Sequence, residues 1–210
     1  MRGNYTDGSF TDHSNVQGII VNTPLSLTSV VSEKTHGGAG NFDVNLPLTG
    51  TRGVECRARG GLPNGATGDY QLIFTFSNNL QSVGSATVSH ASNTTAAVGS
   101  TAKGPKPNQY TVNLTNVSNA QYLQVNLNNV SDVLGNTAAA VSSPEMGVLI
   151  GDVNANGLVD GNDVSAVQGQ TRQSVSNTNF RDDVNANGII DGNDVSLTQG
   201  QTRTSLPSSP

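Results

Sequence analysis

The sequence predicts a mainly β protein: a β-sandwich followed by a small C-terminal segment in which two acidic loops each lead into a short helix. Three observations predict this. Short runs between positions 25 and 150 alternate apolar and polar residues with a period of two, as half-buried strands do. Clusters rich in Gly, Asn and Pro, such as "PNGATG" and "VLGNT", separate those runs. After Ile150 the alternation stops and one unit occurs twice, as "DVNANGLVDGND" (Asp152 to Asp163) and "DVNANGIIDGND" (Asp183 to Asp194).

Composition narrows the function classes. The chain has 210 residues, of which 34% are hydrophobic and 12% charged, with a net charge of −5. Low hydrophobicity without high net charge is not a disordered composition. The negative balance argues against nucleic acid as a partner. No apolar run approaches the length of a bilayer span, so membrane insertion is not expected. Residues 151–210 contain seven Asp against three Arg and so carry −4 of the −5. The acidity is local, and the place where it sits needs a cation. One cysteine, Cys56 in "GVECRARG", excludes an internal disulfide framework and reads as a small core residue of a strand. "MRGNYTDGSF" does not read as a signal peptide. Polar β character and five N-x-Ser/Thr sequons, at Asn4, Asn93, Asn113, Asn116 and Asn129, fit a secreted product of which this would be a mature or internal part.

Residues 1–25 are expected to form an N-terminal arm or first strand, with one strand-like run, "VQGIIVN", from Val16 to Asn22. Residues 26–150 are expected to form the sandwich. "FDVNLPL" puts Phe42, Val44, Leu46 and Leu48 on one face, and "DYQLIFTF" does so with Tyr70, Leu72, Phe74 and Phe76. "QYTVNLTNV" gives Tyr110, Val112 and Leu114, and "YLQVNLNNV" gives Leu123, Val125 and Leu127. Such strands describe sheets with one buried and one wet face. The stretch "YTVNLTNVSNAQYLQVNLNNVSDVLGN" resembles bacterial immunoglobulin-like modules of surface proteins, which implies an immunoglobulin-like β-sandwich.

Residues 151–206 are a duplication, because 17 of 22 positions are identical between 151–172 and 182–203. The spacing of their oxygens predicts two Ca²⁺ sites. Ca²⁺ is a hard ion that takes six to eight oxygen ligands, and a short chain supplies them by coiling around it. Loop positions 1, 3 and 5 are Asp152, Asn154 and Asn156; Gly157 follows at position 6, where a left-handed backbone is needed. Leu158 offers its carbonyl at position 7, Asp160 stands at position 9, and Asp163 closes at position 12. The second loop repeats this with Asp183, Asn185, Asn187, Gly188, Ile189, Asp191 and Asp194. Val159 and Ile190, apolar at position 8, are expected to pair the loops back to back. Ending in Asp rather than Glu, with Asn at positions 3 and 5, each loop should bind more weakly than a tight intracellular buffer, in the range of extracellular calcium. Magnesium is disfavoured by so many flexible oxygens.

Two such loops, each followed by a helix beginning near Gly161 and Gly192, resemble a type I dockerin over residues 151–206. The resemblance implies a module that folds on two calcium ions and docks a β-sandwich partner, a cohesin, through a helix face. Where dockerins commonly carry a Ser/Thr pair, at loop positions 10 and 11, this chain has Gly161, Asn162 and Gly192, Asn193. Residues 207–210 form a tail.

No catalytic constellation is legible. His13, His36 and His90 stand in no metal or triad pattern and are expected in solvated loops. Glu33, Asp43, Glu55, Asp69, Asp132 and Glu145 show no glycosidase spacing, and Glu55 is expected in a cross-strand ion pair with Arg57 or Arg59. The chain lacks Trp, and Tyr5, Tyr122 and Phe180 are the rings left for the surface, which make no sugar platform. The expected function is therefore a non-enzymatic, extracellular or cell-surface calcium-binding structural or adhesive protein. It would assemble through its sandwich, its dockerin-like module and its arm, either with identical subunits as a head-to-tail filament or with a cohesin-like partner. The alternatives are a dockerin-type anchoring module of a larger secreted protein and a carbohydrate-binding accessory module with a polysaccharide partner.

Overall fold

A computed structural model describes residues 22–90 and 95–208. The chain is mainly β, and the described residues form ten strands: β1 (Leu27–Thr35), β2 (Asn41–Leu46), β3 (Gly53–Glu55), β4 (Tyr70–Phe76), β5 (Leu80–His90), β6 (Ala97–Lys103), β7 (Gln109–Thr115), β8 (Gln121–Asp132), β9 (Thr137–Ser142) and β10 (Met146–Val148). Two short helices follow, α1 (Gly161–Gln170) and α2 (Gly192–Gly200). One sheet has the order β2-β1-β4-β7-β6 and the other β3-β10-β8-β5, with β9 sharing an edge of β8 with β10. All pairings are antiparallel except β3 with β10.

The core forms where the alternating rows meet. Tyr70, Leu72, Phe74 and Phe76 of β4, Val112 and Leu114 of β7, and Leu123, Val125 and Leu127 of β8 belong to one cluster contributed by both sheets. Each buried Leu or Phe of this kind contributes roughly 1.5–3 kcal/mol of transfer free energy. This is the layering of a β-sandwich. The row in β2 ends earlier than its alternation suggests. Phe42, Val44 and Leu46 are buried, but Leu48 is 45% exposed because the strand stops before Pro47, which has no amide to donate. The strand-like run Val16–Asn22 falls almost wholly outside the described residues. From Asn22 onward the chain is tied down: Thr23 and Asn78 exchange hydrogen bonds of 2.7 and 2.8 Å, and Asn136 Nδ2 donates to Asn22 Oδ1 at 2.8 Å.

The inward row of β1 changes character along its length, and this positions everything that follows. Val30 lies in the apolar core, whereas Ser32, Lys34 and the adjoining His36 are polar and equally buried. A buried polar row must find hydrogen-bond partners. Lys34 Nζ donates to the carbonyls of Gly60 and Asp69 and lies 4.4 Å above the Tyr70 ring. Ser32 donates to the Glu55 carboxylate. His36 reaches the C-terminal segment.

Residues 151–206 pack directly on the sandwich. Backbone hydrogen bonding runs through the boundary, from Leu149 N to Glu55 O at 3.0 Å and from Gly151 N to Cys56 O at 2.9 Å. Two small clusters seal the contact: Cys56 with Val153, Val167, Val184 and Ile190, and Val54 with Leu149, Val159 and Leu206. Helices α1 and α2 lie against each other. Each has a narrow buried stripe, Asp163 with Val167 and Asp194 with Thr198, spaced one turn apart.

Candidate metal centre

The two loops fold alike because their sequences are alike. Asp152 accepts from the amides of Asn156 and Gly157 at 3.1 and 2.8 Å, and Asp183 accepts from Asn187 and Gly188 at the same distances. Asn154 Oδ1 accepts from Asn156 N, and Asn156 Oδ1 from Leu158 N, at 3.0 and 2.9 Å; Asn185 and Asn187 repeat this toward Asn187 N and Ile189 N at 2.9 and 2.8 Å. Asp163 receives Asn154 N and Asp160 N at 3.2 and 3.0 Å, and Asp194 receives Asn185 N and Asp191 N at 3.1 and 3.0 Å. These bonds wind the chain around a common centre, and each carboxylate oxygen so engaged keeps a second lone pair except Asp183 Oδ2, which also receives His36 Nδ1, so that the free lone pair of Asp183 is on Oδ1. Gly157 and Gly188 have φ of 85° and 90°, the left-handed turn expected at position 6.

Position 9 serves the helices. Asp160 Oδ1 accepts from Asn162 N and Asp191 Oδ1 from Asn193 N, each at 2.7 Å, so both residues are N-caps of reciprocal capping boxes. Among the described residues no three His, Cys, Asp or Glu side chains converge as a metal-holding group. Any complete oxygen shell here would need Asn side chains and backbone carbonyls in addition to carboxylates.

The donor chemistry fits a hard divalent cation. Asp152, Asp163, Asp183 and Asp194 have no exposed surface. Burial pushes Asp152 up from the ordinary carboxylate range; hydrogen bonds from Gly157 and Asn156 oppose this, and the neighbouring Asp163 charge adds to it. Asp194 is likewise pushed up by burial, against hydrogen bonds from Asp191 and Asn185, with the charges of Asp183 and Asp191 adding to the rise. Among the described residues, ion pairs join Arg52 to Glu145 and Arg57 to Glu55, and neither reaches Asp152, Asp163, Asp183 or Asp194. The Arg181 charge eases Asp152 in part, but buried carboxylates without a directly paired cation are costly unless one joins them.

The loops do not pair back to back. Loop 1 bridges the segment after α2, with Leu158 opposite Ser205, Val159 N donating to Thr204 O and Arg203 N to Val159 O, both at 2.9 Å. Loop 2 bridges the segment after α1, with Ser174 opposite Ile189 and Arg172 N donating to Ile190 O at 3.0 Å. Val159 and Ile190 therefore enter separate apolar clusters.

His36 differs most from expectation. It is fully buried rather than solvated, with Nδ1 at 2.8 Å from Asp183 Oδ2 and Nε2 at 3.0 Å from Arg57 Nη1. Glu55 and Arg57 do form an ion pair, but within one stretch of chain, i to i+2, and fully buried: Arg57 Nε and Nη2 donate to Oε1 and Oε2 at 2.8 and 2.7 Å. Phe180 stacks on Phe42 at 5.5 Å, and Tyr122 lies under Arg52 at 4.9 Å, so neither is a free sugar-binding ring. Tyr5 and His13 lie outside the described residues, as does the side chain of His90. The only hint in the sequence to this constellation was the polar continuation of an inward-facing row in β1.

Elsewhere, Glu33 and Asp43 are register partners on β1 and β2, both pushed up by burial. Glu33 also lines a cleft of about 370 Å³ with Asn41, Gln71, Lys103 and Asn113. Two carboxylates side by side on one sheet face do not bracket a scissile bond as a glycosidase pair does. No helix of the described residues is long and apolar enough to cross a membrane. No protein-family model matches the chain, and no curated protein matches it in sequence.

Proposed function

We propose that this chain is a non-enzymatic, calcium-binding structural protein of the cell exterior, and that residues 151–206 form a dockerin-like module on an immunoglobulin-like sandwich. The observation that carries the reading is the pair of near-identical loops, each with two fully buried carboxylates ringed by inward amides and Asn oxygens. Asp152, Asn154, Asn156, Leu158 and Asp163 would hold one ion and Asp183, Asn185, Asn187, Ile189 and Asp194 the other, with Asp160 and Asp191 acting through water. The ions supply the positive charge that lets these acids stay buried and ionised. The protein's own part is to pre-form the loops through Asx-type hydrogen bonds and to cap both helices at their starts.

Assembly is the consequence we propose. The helix residues Asn162, Ser165, Asn193 and Ser196 are exposed, leaving a surface for a β-sandwich of an identical subunit. A head-to-tail contact of this kind grows a filament unless its rotation closes a ring. Negative-stain imaging at millimolar calcium and high protein concentration tests it: filaments that disperse in EGTA support the reading, and monomers under both conditions remove it. The anchoring alternative predicts such a monomer together with tight binding to a separate cohesin-type domain.

A further inference from the structure

We infer that His36 is a positioning residue for the second loop alone, so that the sandwich makes two nearly identical cation sites unequal and ties the second to its own fold; this rests on the calcium reading of the loops. Inside the twelve-residue loops the bonding is the same, since Asp152 and Asp183 take the same two amides at the same distances. Outside them Arg181 holds the backbone of loop 1, donating to Asp152 O and Val153 O at 2.9 and 2.7 Å. At the carboxylates themselves the difference lies in what the sandwich brings. Asp183 Oδ2 receives His36 Nδ1 at 2.8 Å, whereas among the described residues no sandwich side chain reaches the Asp152 carboxylate.

The tautomer follows from the donors around the ring. Arg57 has N–H groups and no acceptor, so its Nη1, 3.0 Å away, must donate to His36 Nε2. The imidazole is then neutral, with its proton on Nδ1 and pointed at Asp183. Arg57 itself cannot turn. Glu55 holds it by two bonds, and it also donates to Phe42 O at 2.8 Å and Ser32 O at 2.9 Å. Phe42 and Phe180 flank the imidazole edge-on, at 5.1 and 6.0 Å. A hydrogen bond to the outer side of a ligating carboxylate fixes its orientation and so favours the ion.

Backbone contact at the same place makes the coupling two-way. The turn after β1 sits on the sharp turn of loop 2 so closely that a Cβ on Gly37 would lie 2.0 Å from Asn187 O, and one on Gly188 would lie 2.7 Å from His36 O. Ala58 N donates to Val184 O at 2.7 Å. Loop 1 lacks this close approach at its own turn, where a Cβ on Gly157 would touch only Leu206 of the C-terminal segment, at 4.0 Å. Ordering loop 2 around an ion therefore also orders the β1–β2 turn and the segment after β3.

Calcium titration of the chelator-stripped full chain by calorimetry, with ions counted by native mass spectrometry, tests this. Two ions of unequal affinity are expected. His36→Phe keeps a ring but removes both nitrogens, and should weaken the tighter site about 10- to 100-fold while leaving the weaker one unchanged. His36→Asn, which retains a donor near the δ position, should restore much of the loss. Asp183→Asn should abolish the tighter site and Asp152→Asn the weaker. Should His36→Phe fail to fold, hydrogen exchange on the wild-type chain decides instead: calcium must slow exchange at Ala58 and in the turn after β1, not only within 151–206. Two equal sites, an unchanged tighter site in His36→Phe, or calcium protection confined to 151–206 would overturn the inference while leaving calcium binding intact. No uptake of calcium at all would overturn both.

Discussion

His36 Nδ1 lies 2.8 Å from Asp183 Oδ2, joining residues 147 positions apart, and neither side chain has any exposed surface. A neutral imidazole from the sandwich thus completes the surroundings of an acid in the C-terminal loop. The contact means that the two halves of the chain share a buried polar network, Glu55–Arg57–His36–Asp183, rather than a flexible junction. Such a network is stable only when every member is satisfied, so disturbing one end should be felt at the other.

Cys56 should report on this junction without any engineered label. Its side chain is fully buried beneath Val153, Val184 and Ile190, with Sγ 3.7 Å from Arg181 O, and burial pushes the thiol up to about 11. At pH 8 it is expected to be inert to a disulfide reagent in calcium. In EGTA, labelling should become measurable as the C-terminal segment loosens. Equal, rapid labelling in both buffers would contradict the buried junction.

Gly37 and Gly38 are adjacent glycines with different expectations. Gly37 has φ of +47° and no room beside Asn187 O, whereas a Cβ on Gly38 meets nothing within 4 Å. Gly37→Ala should lower the thermal midpoint by several degrees and raise Cys56 labelling. Gly38→Ala should change either by little. Scanning calorimetry of the two variants checks the difference.

Glu55 should dominate part of the acid response. Burial alone would raise its carboxyl, but the Arg57 charge and hydrogen bonds, with Lys34 and Ser32, outweigh this and bring it from 4.5 to about 2. A lowered folded-state value means that its stabilisation is complete above pH 4.5 and is lost as pH falls from 4.5 toward 2. Glu55→Gln should flatten the stability slope in that window. At pH 7 it should cost about 3–5 kcal/mol, because Arg57 remains buried without its counter-charge. Urea titrations of both proteins at several pH values measure this.

Ala155 occupies a left-handed backbone, with φ of 60° at loop position 4, and is exposed. An alanine there costs about 1–2 kcal/mol, of which glycine would recover part after its own entropic loss of roughly 0.5–1 kcal/mol. Ala155→Gly should therefore stabilise the chain by up to about 1 kcal/mol without altering calcium stoichiometry. A clear loss of stability would show that the side chain packs more tightly than its exposure implies.

The sequence by itself determined the local features, because each depends on neighbours a few residues away. Period-two alternation specified which residues of β4, β7 and β8 face the core. The Asp-x-Asn-x-Asn-Gly spacing specified the coil of each loop, its left-handed glycine and the helices starting at Gly161 and Gly192. Only the tertiary structure decided what stands beside those elements. His36 reads as an isolated histidine among glycines until β1 carries it to loop 2. The Glu55–Arg57 pair reads as a cross-strand ion pair until the fold closes it in a buried network with Ser32, His36 and Phe42. Loops with almost the same letters become inequivalent because one rests on the β1–β2 turn and the other near Leu206. Hydrogen bonds within a turn follow from chain geometry. Burial, and the polar groups that meet there, follow from segments far apart in sequence, as with His36 and Asp183, 147 positions apart.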